Sequence, residues 1–406
     1  MYIQINIRLV RKFRFQKNER GYSDFSFRLM RNLVIPVIGN YCAPRMINRE
    51  NMPVTGPCFI YANHSNNFDP FVINYHMKSE PTAGVMTRYQ FYKVIPRIFM
   101  DSIGVVPTSK YVPEPGIIRN VMKLAEQNRM ITIFPEGGRR WDGRPKPLIE
   151  ATLKLFWKMR IAVHPVQIHG SYLGWPRWAD RPRKNSMELH WMHPLYPDDF
   201  DSYTEFADRC TELIRFDEYN PPESTLPVSA NKPALGIQKM LYRCPYSGVP
   251  GSVHTPDGHR VFSRTSGDFS FTMDKDSRLV DHHGERHSVI KLYDEISTMP
   301  VLKDRQSVVI PGVRCQIYKV DESHQLKNAG YGYIKLVTDA VEIQEDAGHQ
   351  TIYLDDIMYI SIEKNHKLLL TTEKQSLMLN LGDQSALQWQ NHIRRLQKGE
   401  PAVTSL

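Results

Sequence analysis

Between residue 58 and about residue 215, short apolar runs alternate with segments whose apolar positions recur at helical spacing. The runs 58–62, 83–87, 104–107, 130–134, 161–168 and 187–192 predict strands. The segments near 70–78, 90–100, 114–128, 147–159 and 201–214 predict helices. Such alternation predicts an α/β domain over 51–215, with a mixed sheet flanked by helices. A polar, proline-bearing stretch from Asn220-Pro221-Pro222 to Asn231-Lys232-Pro233 reads as part of a linker, 216–236. Beyond it the pattern turns β-rich. Strands are expected at 307–310, 315–320, 332–337, 351–353, 357–363, 367–372 and 376–381, then a helix at 384–397. Leu387, Trp389 and Ile393 are placed on one face of that helix or at its end.

Composition narrows the class. The chain has 406 residues, enough for two or three domains, and its 41% apolar and 23% charged content excludes a disordered chain. No internal period appears, and no run of about 18 apolar residues predicts a membrane span. The first residues lack the apolar core and cleavage site of a signal peptide. Five scattered cysteines give no disulfide framework, as expected in a reducing compartment. The net charge of +9 calls for an anionic partner: nucleic acid, membrane surface or phosphorylated substrate. Residues 1–50 carry ten basic and three acidic residues, so most of that charge sits there, interleaved with Phe13, Phe15, Phe25, Phe27, Leu29 and Leu33. This composition predicts a basic amphipathic membrane-surface segment, with Pro36 breaking its last apolar run. The alternative is a helix packed on its own domain with a solvated basic face.

Candidate chemistry sits at predicted strand ends. Asn63-His64-Ser65-Asn66-Asn67-Phe68-Asp69 follows the first strand, and its Asp can hold one imidazole nitrogen while the other acts as base. Phe134-Pro135-Glu136-Gly137-Gly138-Arg139-Arg140 ends another strand, offering close backbone approach and a guanidinium fork for phosphate. Gly104-Val105-Val106-Pro107-Thr108-Ser109-Lys110 closes on a cation, and Val163-His164-Pro165-Val166 is a buried-strand pattern with a proline.

In this order the four blocks resemble the glycerolipid acyltransferase family, typified by 1-acylglycerol-3-phosphate acyltransferase, over roughly 50–215. The resemblance implies that His64 is the base that deprotonates an acceptor hydroxyl and Asp69 its orienting carboxylate. The oxygen would then attack the thioester of acyl-CoA or acyl carrier protein directly. Arg139, Lys110, Glu136 and Gly137 would bind the acceptor's phosphate. Asn63, Gly104, Pro107, Gly138 and Pro165 would support the backbone, with oxyanion donors near Pro165. Asn66, Lys110, Gly138 and Arg140 depart from the family's usual residues, which leaves the acceptor open and the His–Asp pair untouched.

Residues 237–285 resemble a zinc ribbon that has lost its ligands. Cys244-Pro245-Tyr246-Ser247-Gly248 and Ser263-Arg264-Thr265-Ser266-Gly267 become two knuckles if Ser is read as Cys. One thiolate is a poor zinc site, so metal-free hairpins held by Phe262, Phe269 and Phe271 are expected. His254 and His259 are irregularly spaced, and His282, His283 and His287 read as a solvated turn. Residues 286–406 are expected to form a β-rich domain resembling a pleckstrin-homology-like barrel. The whole reads as a bacterial, peripheral enzyme at the cytoplasmic membrane face. It would acylate a lysophospholipid, lysophosphatidate first, with no metal, no bound cofactor and no nucleic-acid partner. The rivals are another acceptor, such as glycerol 3-phosphate or an aminolipid, and a silent lipid-binding scaffold.

Overall fold

A computed structural model describes residues 15–88, 91, 94–108, 115–218, 228–321, 326–345 and 348–404. The chain divides into two units, Met1–Arg177 with Pro182–Ala230, and Trp178–Arg181 with Asn231–Leu406. In the first unit the strands are β1 (Arg45–Ile47), β2 (Cys58–Ala62), β3 (Ala83–Thr87), β4 (Val105–Thr108) and β5 (Met130–Ile133). They are followed by β6 (Ala162–His169), β7 (Lys184–Asn185), β8 (Glu188–Trp191) and β9 (Val228–Ser229). Seven of them form one sheet in the order β1-β8-β6-β2-β5-β3-β4, and β7 pairs with β9. β8 runs antiparallel to β6 while β2 is parallel to both β5 and β6, so the sheet is mixed, as expected.

Every residue of the central β2 is buried. Its alternation divides them between two cores. Phe59 and Tyr61 pack with Ile133, Phe156, Val163 and Phe206 on one face. Cys58, Ile60 and Ala62 pack with Val72, Ile73 and Trp191 on the other. Burial on both faces is why the strand reads as a continuous apolar run and not as an alternating one. Because β5, β2 and β6 are parallel neighbours, their C-terminal ends lie side by side, and the loops leaving them meet.

The sequence places 1–50 apart from the α/β domain, but its described residues are built into the same unit. Helix Asp24–Leu29 passes through a π-turn, Met30–Val34, into helix Ile35–Cys42. Ser23 caps its start by accepting from the Ser26 N–H. One face packs inward: Phe27, Met30 and Ile35 lie with Tyr22 and Ile103, and Ile38 and Cys42 join the β2 core. The other face carries Phe25, Leu29, Leu33, Val37 and Tyr41, each 37–61% exposed. Neither reading of this segment foresaw one helix apolar on two sides. In an α-helix a step of four residues drifts by about 40°. The wider π-turn counters that drift and keeps the outer five residues in one ladder.

Arg129 ties the arm to the sheet. Its fully buried guanidinium donates to the carbonyls of Pro81 (2.9 Å), Ile103 (3.0 Å) and Arg20 (3.2 Å) and lies over the Tyr22 ring at 4.8 Å. Glu80, buried beside it, pairs with Arg20 at 2.9 Å and faces Arg129 Nε at 3.8 Å. A Cβ on Gly104 would come 3.0 Å from Arg129 Nη1, and its φ of +86° is itself a glycine conformation.

The stretch read as a linker is built in where it is described. Phe216 and Glu218 are buried in the first unit, and Val228 and Ser229 pair with Asn185 and Lys184. Residues 1–14 and 219–227 lie outside the described residues.

The second unit begins with a five-stranded antiparallel sheet: β10 (Val253–His254), β11 (Arg260–Ser263), β12 (Ser270–Met273), β13 (Leu279–Val280) and β14 (Arg286–His287). Helix Val289–Thr298 follows, unforeseen from the sequence, with Val289, Ile290, Leu292 and Ile296 buried. After β15 (Leu302–Lys303) come β16 (Val308–Val320), β17 (Leu326–Val337), β18 (Ala340–Glu345) and β19 (Gly348–Tyr353). They are completed by β20 (Tyr359–Glu363), β21 (Lys367–Thr371) and β22 (Ser376–Asn380), and the sheet order is β19-β18-β17-β16-β22-β21-β20. Seven strands and a closing helix, Ala386–Gln397, were expected, with two compensating errors. The first two candidates are one strand, bulged between Ile310 and Val313 where Pro311 and Gly312 interrupt the pattern. β18 went unread, because only Val341 and Ile343 alternate inward among polar residues. Leu387, Trp389 and Ile393 are all buried.

Arg129→Ala is expected to lower the unfolding free energy by about 3 kcal/mol, since Glu80 loses a buried cationic neighbour and Tyr22 its stacked guanidinium. Urea unfolding measures this, and the Arg129→Ala/Glu80→Gln pair should be less destabilised than Arg129→Ala alone.

Candidate functional site

His64 stands two residues beyond β2, at the centre of the sheet's C-terminal edge. Its Nδ1 lies 2.8 Å from Asp69 Oδ2, and its ring stacks on Phe134 with centroids 4.3 Å apart. The imidazole side chain keeps 19% of its surface exposed, whereas Asp69 is wholly buried. Asp69 begins the helix Asp69–Tyr75, and the turn before it folds back on the carboxylate. The N–H groups of Ser65 and Asn66 donate to Oδ2 at 2.8 and 3.0 Å, and the Ser171 hydroxyl donates to Oδ1 at 2.5 Å. A carboxylate so fully satisfied stays in place, and with it the tautomer and orientation of His64. Nε2 is then the ring nitrogen left to take a proton from a bound hydroxyl.

Asn63 couples this turn to β6 through both ends of its amide. Its Nδ2 donates to Ile168 O at 2.9 Å and its Oδ1 accepts from Ile168 N at 2.7 Å. Pro165 sits within β6 opposite Tyr61, and its carbonyl accepts from Met192 N at 3.0 Å. Pro107 lies in β4 opposite Met86. Lys110 is outside the described residues.

The loop after β5 is bound to the same centre. Arg140 N donates to His64 O at 3.1 Å. The Glu136 carboxylate, assigned to phosphate binding from the sequence, is buried and held by Arg140 through Nε (2.9 Å) and Nη2. Arg140 also donates to the carbonyls of Gly143 (3.1 Å) and Phe216. Glu136 thus acts on the loop's shape, as the counter-ion of a fully buried guanidinium. Gly137, Gly138 and Arg139 are half-buried. Lys146, which no motif pointed to, brings its ammonium to the Glu136 carbonyl (3.0 Å) and the Gly138 carbonyl (3.1 Å). The loop is thus tied to the His64 turn through Arg140 N, and it carries Arg139 and Lys146, two further cations.

Glu218 was likewise invisible to sequence reading. Its carboxylate accepts from Gly170 N at 2.9 Å and Tyr172 N at 2.6 Å. Burial pushes its pKa up to about 7, and the two N–H bonds and nearby Arg140 offset that only in part.

Two further groups could hold a metal by residue type. His169, Glu188 and His190 bring ligand atoms within 4.8 Å of one another. The His169 ring lies flat between Phe216 (3.7 Å) and His190 (3.9 Å), so the lone pairs of the stacked imidazoles run side by side and do not converge. Burial and the neighbouring His190 lower the His169 pKa to about 3, leaving it a neutral member of an aromatic stack. Asp281, Glu285 and His287 form the second group. There Asp281 accepts from His283 N, Glu285 N and His287 Nε2, each at 2.9 Å, which is a hydrogen-bonded turn.

Of the four ribbon positions, Cys244, Ser247 and Ser263 come together, with Thr265 and not Ser266 beside them. Cys244 Sγ accepts from Ser247 N at 3.5 Å, while Thr265 Oγ1 lies 2.6 Å from Ser247 Oγ and 3.0 Å from Ser263 Oγ. Burial raises the Cys244 pKa, but hydrogen bonds from Ser247, Ser263 and the Tyr246 N–H outweigh it and leave a net lowering. Hydroxyls here share protons with one another around a single thiol. His254 lies on β10 beside Phe262, and His259 is exposed.

Residues 43–169 match the family model described as Acyltransferase. The chloroplastic 1-acyl-sn-glycerol-3-phosphate acyltransferase of Brassica napus is 26% identical over 132 residues, 30% of this chain and 36% of that protein. The 1-acyl-sn-glycerol-3-phosphate acyltransferase of Limnanthes alba is 23% identical over 147 residues, 34% of this chain and 50% of that protein. The chain thus spans between a third and a half of the length of these curated relatives. A solved 1-acyl-sn-glycerophosphate acyltransferase from Thermotoga maritima is 19% identical, covering 46% of this chain and 79% of that one, with a TM-score of 0.38.

The Glu218 carboxyl sets a pH dependence of known sign. Its folded value, about 7, stands above its ordinary 4.5, so its contribution to stability is complete below 4.5 and lost as pH rises through 7. Urea unfolding is expected to show the protein losing on the order of 3 kcal/mol from this group between pH 4.5 and 8. The Glu218→Gln variant should lack that component of the slope.

Proposed function

We propose that this chain, whose residues 43–169 match the Acyltransferase family model, is a glycerolipid acyltransferase that transfers a fatty acyl group from a thioester to a lysophospholipid hydroxyl. The observation that carries the reading is the His64–Asp69 pair, 2.8 Å apart at the centre of the sheet edge, with the cationic 136–146 loop beside it. His64 Nε2 takes the acceptor's proton as its oxygen attacks the thioester carbonyl. Collapse of the tetrahedral intermediate expels the thiolate, which takes the proton from His64. No acyl-enzyme intervenes, and the step needs no metal or bound cofactor. Arg139 is the phosphate ligand, supported by Lys110 and the Gly137 backbone, and the preferred acceptor is 1-acylglycerol 3-phosphate. Glu136 serves that site by holding Arg140. Acyl-CoA or acyl carrier protein supplies the acyl group.

The enzyme works at an anionic membrane surface, on its cytoplasmic face. No helix among the described residues is long and apolar enough to cross a membrane. The exposed ladder of Phe25, Leu29, Leu33, Val37 and Tyr41, on a helix bearing the exposed Arg28, supports a docking role: apolar groups enter the headgroup boundary while the arginine meets lipid phosphate. We assign residues 308–397 to a pleckstrin-homology-like barrel, because a four-strand run and a three-strand run join through β16 and β22 and one helix follows.

With labelled acyl donor and a panel of lysolipids, His64→Ala is expected to lower kcat by about 10²–10⁴-fold. Arg139→Ala should raise KM for the phosphate-bearing acceptor more than for a neutral one, and equal losses on both would remove Arg139 from the phosphate site. If the native protein transfers no acyl group yet binds anionic vesicles, the scaffold reading replaces this one. Leu33→Glu with Val37→Glu should weaken sedimentation with phosphatidylglycerol vesicles at least ~10-fold, as each buried apolar side chain contributes about 1.5–3 kcal/mol. The melting temperature should hold, since both side chains are exposed in the free protein.

A further inference from the structure

The His64–Asp69 pair is held from a side that neither the four sequence blocks nor the matched family segment contains. Asp69 Oδ2 is occupied by His64, Ser65 N and Asn66 N, and Oδ1 accepts from Ser171 Oγ at 2.5 Å. Ser171 is completely buried and follows Gly170, whose φ of +75° turns the chain from β6 into the short helix Ser171–Gly174. Its surroundings fix it closely. Asn66 Nδ2 donates to Ser171 O at 2.6 Å, and Asn185 Nδ2 donates to Gly170 O at 2.6 Å. The N–H groups on either side of Ser171, those of Gly170 and Tyr172, donate to Glu218 Oε2 and Oε1 respectively.

We propose that Ser171 and Glu218 are positioning residues of the catalytic centre: Glu218 clamps the 170–172 turn, and Ser171 carries that constraint to Asp69 and so to His64. The inference rests on the acyltransfer reading for its kinetic readout, but not for its structural one. A carboxylate whose second oxygen is free can rotate about its Cβ–Cγ bond, and the imidazole it holds rotates with it. Ser171 removes that freedom. A hydroxyl can do so only if its own backbone is fixed, and a bidentate acceptor spanning residues 170 and 172 fixes it on both sides. Burying Glu218 is costly, as its raised pKa of about 7 reflects, yet its oxygens are aimed at backbone N–H groups, and Arg140, the cation that acts on it, is already held by Glu136. Asp69 and Arg140 are the charged groups that act on it. Such a clamp adds little to packing and much to the aim of one side chain.

Steady-state kinetics of the full chain tests the proposal, together with the ¹H–¹⁵N resonance of the His64 Nδ1 proton. Ser171→Ala is expected to lower kcat by roughly 10-fold with both KM values within about two-fold, the pattern of lost alignment and not lost binding. It should also shift or broaden the His64 Nδ1 resonance. Ser171→Thr, which keeps the hydroxyl, should recover most of both. Glu218→Gln should give a similar loss, and adding it to Ser171→Ala should cost less than about two-fold more, because the two act through one path. A Ser171→Ala protein with native kcat and an unmoved resonance overturns the proposal. Losses that multiply to about 100-fold in the double variant overturn the role of Glu218. Should Glu218→Gln not fold, the Ser171 variants decide the matter. If the native protein is no more active than His64→Ala, the acyltransfer reading fails by itself, and the His64 resonance still decides whether Ser171 positions it.

Discussion

A carboxylate with no access to water must find all its hydrogen bonds in the protein, and Asp69 is such a group. Its four donors come from the turn after β2, from the imidazole it orients, and from the turn after β6. The first unit is arranged so that these can meet. β2 and β6 are adjacent and parallel, Asn63 locks their ends through Ile168, and Arg140 N ties the loop after β5 to His64 O. The cores on the two faces of the sheet hold the strands in register. The register brings three loops together at the edge where the dyad lies.

The same requirement recurs at two other buried charges. Arg129 and Glu80 are desolvated together where the arm meets β5, and Arg140 and Glu136 where the loop after β5 turns back. In both, a guanidinium spends its remaining donors on carbonyls of separate segments: Pro81, Ile103 and Arg20 for Arg129, Gly143 and Phe216 for Arg140. An arginine can do this because its planar fork presents five donors in fixed directions. Apolar packing alone could join these segments but would set no angle between them. Buried arginines specify the loops here while the aliphatic core supplies the affinity.

What could be read from the sequence follows from how local each cause is. β2 and β3 are legible to the residue, and for β2 the reason is that a strand buried on both faces is an unbroken apolar run. The His64–Asp69 pair is legible because five residues of one turn contain both partners. Ser171 and Glu218 are not, for each acts across a hundred or about fifty residues on a group with no matching pattern. Lys146 was missed because its partners are carbonyls, which every residue has. Glu136 was found but given the substrate's phosphate, since its spacing to Arg140 is as consistent with a motif as with an ion pair. In the second unit, Pro311 and Gly312 broke one strand's pattern without breaking the strand, and β18 had too few apolar residues to register.

The N-terminal helix shows how one local irregularity can decide what a surface does. Its inward face uses Phe27, Met30, Ile35, Ile38 and Cys42, which commits the helix to the domain. A second apolar face would ordinarily wind around an α-helix and be broken up by the packed side within three turns. The π-turn at Met30–Val34 widens one turn just before Pro36, which can offer no N–H to the ladder in any case. The outer ladder then stays on one side from Phe25 to Tyr41. Composition gave the same segment its excess of positive charge, but charge alone would suit any polyanion. An apolar ladder 37–61% exposed, flanked by Phe15 against Phe25 and Phe68 against Tyr41, beside Arg28 on the same helix, is what supports the proposed lipid surface over other polyanions, since a lipid surface has both anionic heads and an apolar interior.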